Sequence, residues 1–187
     1  MGAIPGPEDA TADWLTARLR EAGHAGAEVR GVRARRIGTG QLGRCVRFEL
    51  DLAAGGDDVP RSLVGKFPSD DPTSRQAAIQ LRSYRKEVSF YQELQARLAI
   101  STPRCYHAAI EGDGPEFVLL LEDLAPGVQG DQLAGCTPEV ARAAVRELVG
   151  LHAPTWDDPG LRGIEWLGEP SEAAVQLGRA LYRAQLP

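Results

Sequence analysis

Two periodicities alternate along this chain and divide it into segments. From Thr11, a residue suited to cap a helix, Trp14, Leu15, Leu19 and Ala22 recur at helical spacing until Gly23. The spacing predicts a helix over about 11–22, after a loose Gly- and Pro-rich stretch at 1–10. Val29 to Ile37 reads as a strand. The clearest strand follows, with Val46, Phe48, Leu50 and Leu52 apolar and Arg47, Glu49 and Asp51 between them. A turn composition at 53–58, with Gly55, Gly56, Asp57 and Asp58, leads to another strand over Arg61 to Phe67, so three antiparallel strands in a row are expected.

Beyond Pro68 the period changes from two to about 3.5. Ala77, Leu81, Tyr84, Val88, Tyr91 and Leu98 share one stripe, which predicts a long helix over 73–98, or two helices with a bend. Strands are expected at Arg104 to Ile110 and Phe117 to Leu121, joined by the hairpin turn Glu111-Gly112-Asp113-Gly114-Pro115. Thr137 and Pro138 open a helix with Val140, Ala144, Val145, Leu148 and Leu151 on its apolar face. An irregular stretch with Trp156 and Trp166 follows, then a short helix from about Ser171 to Arg183.

Composition changes this picture little. At 187 residues, 43% hydrophobic and 25% charged, the chain has the make-up of an ordinary folded domain with enough length to bury a core. The longest aliphatic and aromatic run, Phe117 to Leu121, is far short of the roughly 20 residues that span a bilayer, and no basic-then-apolar leader opens the sequence. Cys45, Cys105 and Cys136 form no Cys-x-x-Cys pair, which argues against a disulfide framework or a zinc site and makes a cytoplasmic location the default. Eight arginines between Arg18 and Arg47 suggest a basic patch, but the net charge of -5 and their position on amphipathic segments speak against nucleic acid as a partner.

The candidate chemistry begins at Gly38-Thr39-Gly40-Gln41-Leu42-Gly43. A dinucleotide fingerprint needs a helix after its glycines, and here an alternating strand follows. Strand, glycine loop, strand is instead the geometry of a flexible cover over nucleotide phosphates; a hairpin without a ligand is the alternative. Lys66, in Leu63-Val64-Gly65-Lys66-Phe67, shares a strand face with Val64, where its amine can meet phosphate oxygens while Val64 covers a flat base. A lysine inside a strand needs a partner or solvent, and a strand-end lysine snorkelling to water is the alternative. Glu87, on the border of the following helix's apolar stripe, is the expected carboxylate partner, with Glu93 as a competitor farther round the helix.

These strings resemble a family. The glycine loop, the Val-Gly-Lys66 strand, Glu87-Val88-Ser89-Phe90-Tyr91-Gln92-Glu93-Leu94, Leu119-Leu120-Leu121-Glu122-Asp123-Leu124 and Leu151-His152-Ala153 are similar, in order and placement, to the aminoglycoside phosphotransferases and choline/ecdysteroid-kinase-like phosphotransferases over about residues 30–160. The resemblance implies an α+β fold: a protein-kinase-like N-terminal lobe, a five-stranded antiparallel sheet with a long helix, plus the first helices of an incomplete C-terminal lobe. It implies a helical lead-in at 1–26, a nucleotide-binding lobe at 27–124 and a linker with the start of a second lobe at 125–187. ATP would be held by residues 38–43, Val64, Lys66 and Glu87, with the backbone of Glu122, Asp123 and Leu124 at the adenine edge, and a small hydroxyl compound would be the substrate.

The family's His-Gly-Asp catalytic loop and its metal-binding aspartate have no counterpart, since His24, His107 and His152 are followed by Ala-Gly, Ala-Ala and Ala-Pro. No catalytic or metal-ligating residue is therefore assigned, and Mg²⁺ is expected only if a further lobe is supplied. The expectation is a nucleotide-binding portion, inactive alone. The alternative is a catalytically dead kinase-like module that binds a partner protein. Self-association through residues 138–183 is expected because the apolar stripe there lacks a visible partner.

Overall fold

Strand alternation accounts for the layering. The computed structural model describes residues 4–38, 40, 42–53, 58–131, 133–168 and 172–185; Thr39, Gln41 and the turn residues Gly55, Gly56 and Asp57 lie outside the described residues. After a single 3-10 turn at Pro7–Asp9 come α1 (Ala12–Glu21), β1 (Val29–Ile37), β2 (Gly43–Leu52), β3 (Ser62–Pro68), α2 (Pro72–Gln80), α3 (Ser83–Ser89), β4 (Cys105–Ile110), β5 (Phe117–Glu122), α4 (Pro138–Thr155) and α5 (Glu172–Gln185). The strands form one antiparallel sheet in the order β1-β2-β3-β5-β4.

On one face Val46, Phe48 and Leu50 of β2, Leu63 and Phe67 of β3, and Val118 and Leu120 of β5 are buried together with Leu15 and Leu19 of α1. Each such side chain contributes about 1.5–3 kcal/mol of burial. α1 starts where expected: the Thr11 hydroxyl accepts the Trp14 N–H at 3.2 Å. The stretch before it is not loose at its end, because Ala10 is buried and Ile4 packs on the same cluster. Gly65 makes this face possible, since a Cβ there would lie 2.6 Å from the rings of both Phe48 and Phe67. β5 is interior to the sheet, and all five residues from Phe117 to Leu121 are buried, the continuous apolar run expected of a strand covered on both sides.

The segment expected as one long helix, or two helices with a bend, is broken twice. α2 begins at Pro72, with the Asp71 carboxylate accepting the Ser74 N–H at 2.7 Å, and ends before Arg82, whose backbone is left-handed at φ 52. α3 then runs into a π-helical turn at Phe90–Leu94 and a 3-10 turn at Gln95–Arg97. Each break resets the helical phase. The buried apolar residues are consequently Ala78, Tyr84, Val88 and Leu94, whereas Leu81, placed on the expected stripe, is 43% exposed.

α4 is a turn longer than the expected end at Leu151, passing through Pro154. Pro154 has no N–H for the carbonyl of Gly150 four residues earlier, and that carbonyl accepts the Ala99 N–H instead, at 3.0 Å. The absence of a side chain at Gly150 permits the contact, because a Cβ would lie 2.6 Å from the backbone of Ala99 and Ile100. Glu147 adds a bond from the Ser101 N–H at 2.8 Å. α4 is thereby hung on the chain before β4 by its backbone, and none of its residues is buried. Trp156 is exposed, as the expected stripe implied, but Trp166 is buried against the α3 region; the side chains of Leu177 and Leu181 lie outside the described residues. Among the described residues no helix is long and apolar enough to cross a membrane.

Candidate functional site

The second sheet face is only half covered. By alternation Cys45 and Arg47 of β2, and Val64 and Lys66 of β3, point away from the α1 side, and Leu119 and Leu121 pair with Lys66 and Val64 on the same face. At the β4 side this face is closed by Tyr84 and Val88 of α3, packed with Ile110, Phe117, Leu119 and Leu121. Beyond that cover a cleft of about 380 Å³ opens, lined among others by Ile37, Arg47, Val64, Leu121, Leu124 and Val128. That volume is at the lower end of small-ligand sites, and the lining is mostly apolar with polar groups at its edge.

Lys66 lies two residues along β3 from Val64, about 7 Å. Its ammonium meets the Glu87 carboxylate at 2.5 Å, and the two side chains are 28% and 31% exposed. An ion pair that wet contributes at most about 1 kcal/mol of stability. Glu93, the competing carboxylate, instead accepts the indole N–H of Trp166 at 2.8 Å.

At the other end of the cleft the strand end is tied down by side chains. Asp123 accepts Ser62 Oγ–H at 2.7 Å, Arg47 Nη2–H at 2.9 Å and the Ala125 N–H at 3.1 Å. Burial pushes its pKa up, but the bonds from Ser62, Arg47 and Ala125 outweigh it and hold the carboxyl below its ordinary value. The Glu122 carboxylate accepts the Arg104 N–H at 3.0 Å. The side chains of Glu122 and Asp123 thus hold the backbone in place, while Leu124, 58% exposed, lines the cleft itself.

Of the glycine segment, Gly43 is not in the loop: it is the first residue of β2, buried and paired with Pro68, because an extended residue there completes the ladder. Gly38 and Gly40 are exposed between β1 and β2, and Leu42 is anchored. Its carbonyl accepts the Tyr84 hydroxyl at 2.6 Å and its side chain packs beside Tyr84 and Val88, so the loop is fastened to α3 rather than free along its length.

Residues not singled out from the sequence complete the site. Cys45 lies directly across from Lys66; burial raises its thiol pKa, the Lys66 charge opposes that and the Glu87 charge adds to it. Tyr91 is pushed up to about 12 by burial and by Glu87 and Cys105. The alternation of β2 carried the signal for Cys45 and Arg47, since residues between Val46 and Phe48 must face the Lys66 side. Six of the eight early arginines, including Arg33, Arg36, Arg44 and Arg47, face a carboxylate within 4 Å, so the charge run is largely neutralised locally. Among the described residues no group of three or more His, Cys, Asp or Glu side chains is placed to hold a metal ion. No family model and no curated protein matches the sequence.

Proposed function

We propose that this chain binds ATP in the open cleft, as the nucleotide-binding part of a small-molecule phosphotransferase of the aminoglycoside phosphotransferase-like kind. The observation that carries the reading is a single sheet face with an apolar slot at one end and, about two residues along the same strand, a carboxylate-held ammonium at the other. Lys66 sits in a strand interior with its ammonium partly exposed beside the cleft, a place from which it can meet an anionic ligand. In this reading Val64 and Leu124 sandwich the purine, the backbone of Glu122 to Leu124 meets its polar edge, and Lys66, oriented by Glu87, meets the α- and β-phosphates. The loop at Gly38 and Gly40, exposed between β1 and β2, covers them. ATP, when bound, supplies the transferable phosphoryl group. The chain has no His-Gly-Asp loop to accept a hydroxyl proton, so binding rather than transfer is assigned to it.

Isothermal titration with ATP tests this. Weak binding is expected, and Lys66→Met is expected to weaken it about tenfold or more, the scale of one charge-assisted contact. Affinity unchanged by that substitution would overturn the role of Lys66.

One observation favours a second reading, an interaction module that uses the same fold. Val140, Val145, Val149 and Trp156 of the α4 region are all more than half exposed, and with Leu148 they leave an apolar face uncovered. In that reading this face docks a partner protein and the chain binds no nucleotide.

A further inference from the structure

We propose that Trp166 is a positioning residue, which through Glu93 fixes the helix that presents Glu87 to Lys66. The consequence for ligand binding rests on the reading of Lys66 as a phosphate ligand; the positioning itself does not.

α3 has only seven residues, and a helix that short takes its direction from tertiary contacts rather than from its own hydrogen bonds. The left-handed Arg82 separates it from α2, while on the other side its helical backbone continues directly into the π turn at Phe90–Leu94. Its inner side is set by Tyr84 and Val88 in the cluster over β5. Both its ends are gripped by one element, the 3-10 turn Glu165–Leu167. Glu165 pairs with Arg82 at 3.3 Å, and the same guanidinium reaches Asp113 of the β4–β5 turn at 3.3 Å. The next residue, Trp166, donates to Glu93 in the π turn at 2.8 Å.

Trp166 is 8% exposed, whereas Trp156, ten residues earlier, is 82% exposed. The later tryptophan is buried because this docking gives its ring cover and its N–H an acceptor. Arg97 and Asp158 hold the same two stretches of chain together farther along. A π turn is held against the ordinary α-helical pattern by its surroundings. Its relaxation to an α turn shifts the phase by one residue, about 100° of rotation. Such a rotation between Glu87 and its anchor at Leu94 takes the carboxylate away from Lys66.

The sequence supplies a direct readout, because Lys66 and Lys86 are its only lysines and Lys86 is an exposed control on the same helix. Limited acetylation with acetic anhydride, read by mass spectrometry as the Lys66-to-Lys86 ratio, reports how well Lys66 is held. Glu87→Ala, which leaves no acceptor, sets the ratio for a released amine. Trp166→Ala is expected to raise it toward that value, by about threefold or more, the scale of a partly exposed ion pair. Glu93→Gln, whose amide oxygen still accepts the indole N–H, is expected to keep the wild-type ratio.

A wild-type ratio in folded Trp166→Ala, with Glu87→Ala released, overturns the proposal. So does a ratio that Glu87→Ala itself leaves unmoved. If circular dichroism shows Trp166→Ala unfolded, Glu93→Ala takes its place with the same two outcomes. ATP added to the wild type reports separately on the nucleotide reading: failure to protect Lys66 counts against that reading and leaves the comparison of variants standing.

Discussion

The two faces of this sheet are built from the same strands in the same alternation, yet one is closed and the other half open. On the closed face Val46, Phe48, Leu63, Phe67, Val118 and Leu120 meet α1, and every one of them is buried. On the other face α3 covers Leu119 and Leu121 and stops, leaving Ile37, Arg47 and Val64 on the wall of a cleft. Ion pairs flank the place where the cover ends: Lys66 with Glu87 on one side, Arg47 with Asp123 on the other. The difference separates residues that hold the fold from residues available to a ligand, and substitutions on the two faces are expected to act on different quantities.

The largest effect belongs to the closed face. Phe48→Ala is expected to cost about 3–5 kcal/mol in denaturant unfolding, the range for emptying a large aromatic site. Gly65→Ala, which forces a methyl between Phe48 and Phe67, is expected to cost about 1–3 kcal/mol, also read from the unfolding midpoint. A Gly65→Ala variant as stable as wild type would mean that the two rings are not packed as described. On the open face Lys66→Met is expected to change stability by no more than about 1 kcal/mol while it weakens ATP binding.

Asp123 gives a pH-dependent contrast. Its folded pKa is held below the ordinary 3.8, so the stability it contributes is fully present above that value and is lost as pH falls through the lower folded value. Asp123→Asn is therefore expected to flatten the acid limb of stability below about pH 4 and to leave its slope near neutrality unchanged. Leu148→Asp tests the exposed helix: light scattering at micromolar concentration is expected to show association in the wild type and a monomer in the variant, with folding unchanged because α4 buries no residue. A wild-type monomer contradicts association through this face.

The strands were legible because period-two patterning leaves few other solutions, and the Lys66 and Glu87 positions follow from placing one on a strand and the other on the next helix. The breaks at Arg82 and at Phe90–Leu94 were not, because the stripe Ala77, Leu81, Tyr84, Val88 fits a continuous helix as well as two pieces out of phase. Buried polar ties were equally hidden. Neither the Asp123 bonds to Arg47 and Ser62 nor the Trp166 bond to Glu93 joins residues close in sequence, and composition says nothing of which carboxylate will meet which donor. Gly43 was misplaced for a related reason: a glycine after two others reads as loop until the partner strand shows that it is paired.

The most direct test of the account is a methyl-resolved NMR titration with ATP, since apolar methyl groups report on both faces in one spectrum. The cleft account predicts saturable shifts at Ile37, Val64, Leu121, Leu124 and Val128, with Val46, Leu50, Leu63 and Leu120 on the closed face unmoved. Shifts confined to the closed face, or none on the cleft face at millimolar ATP, would contradict it.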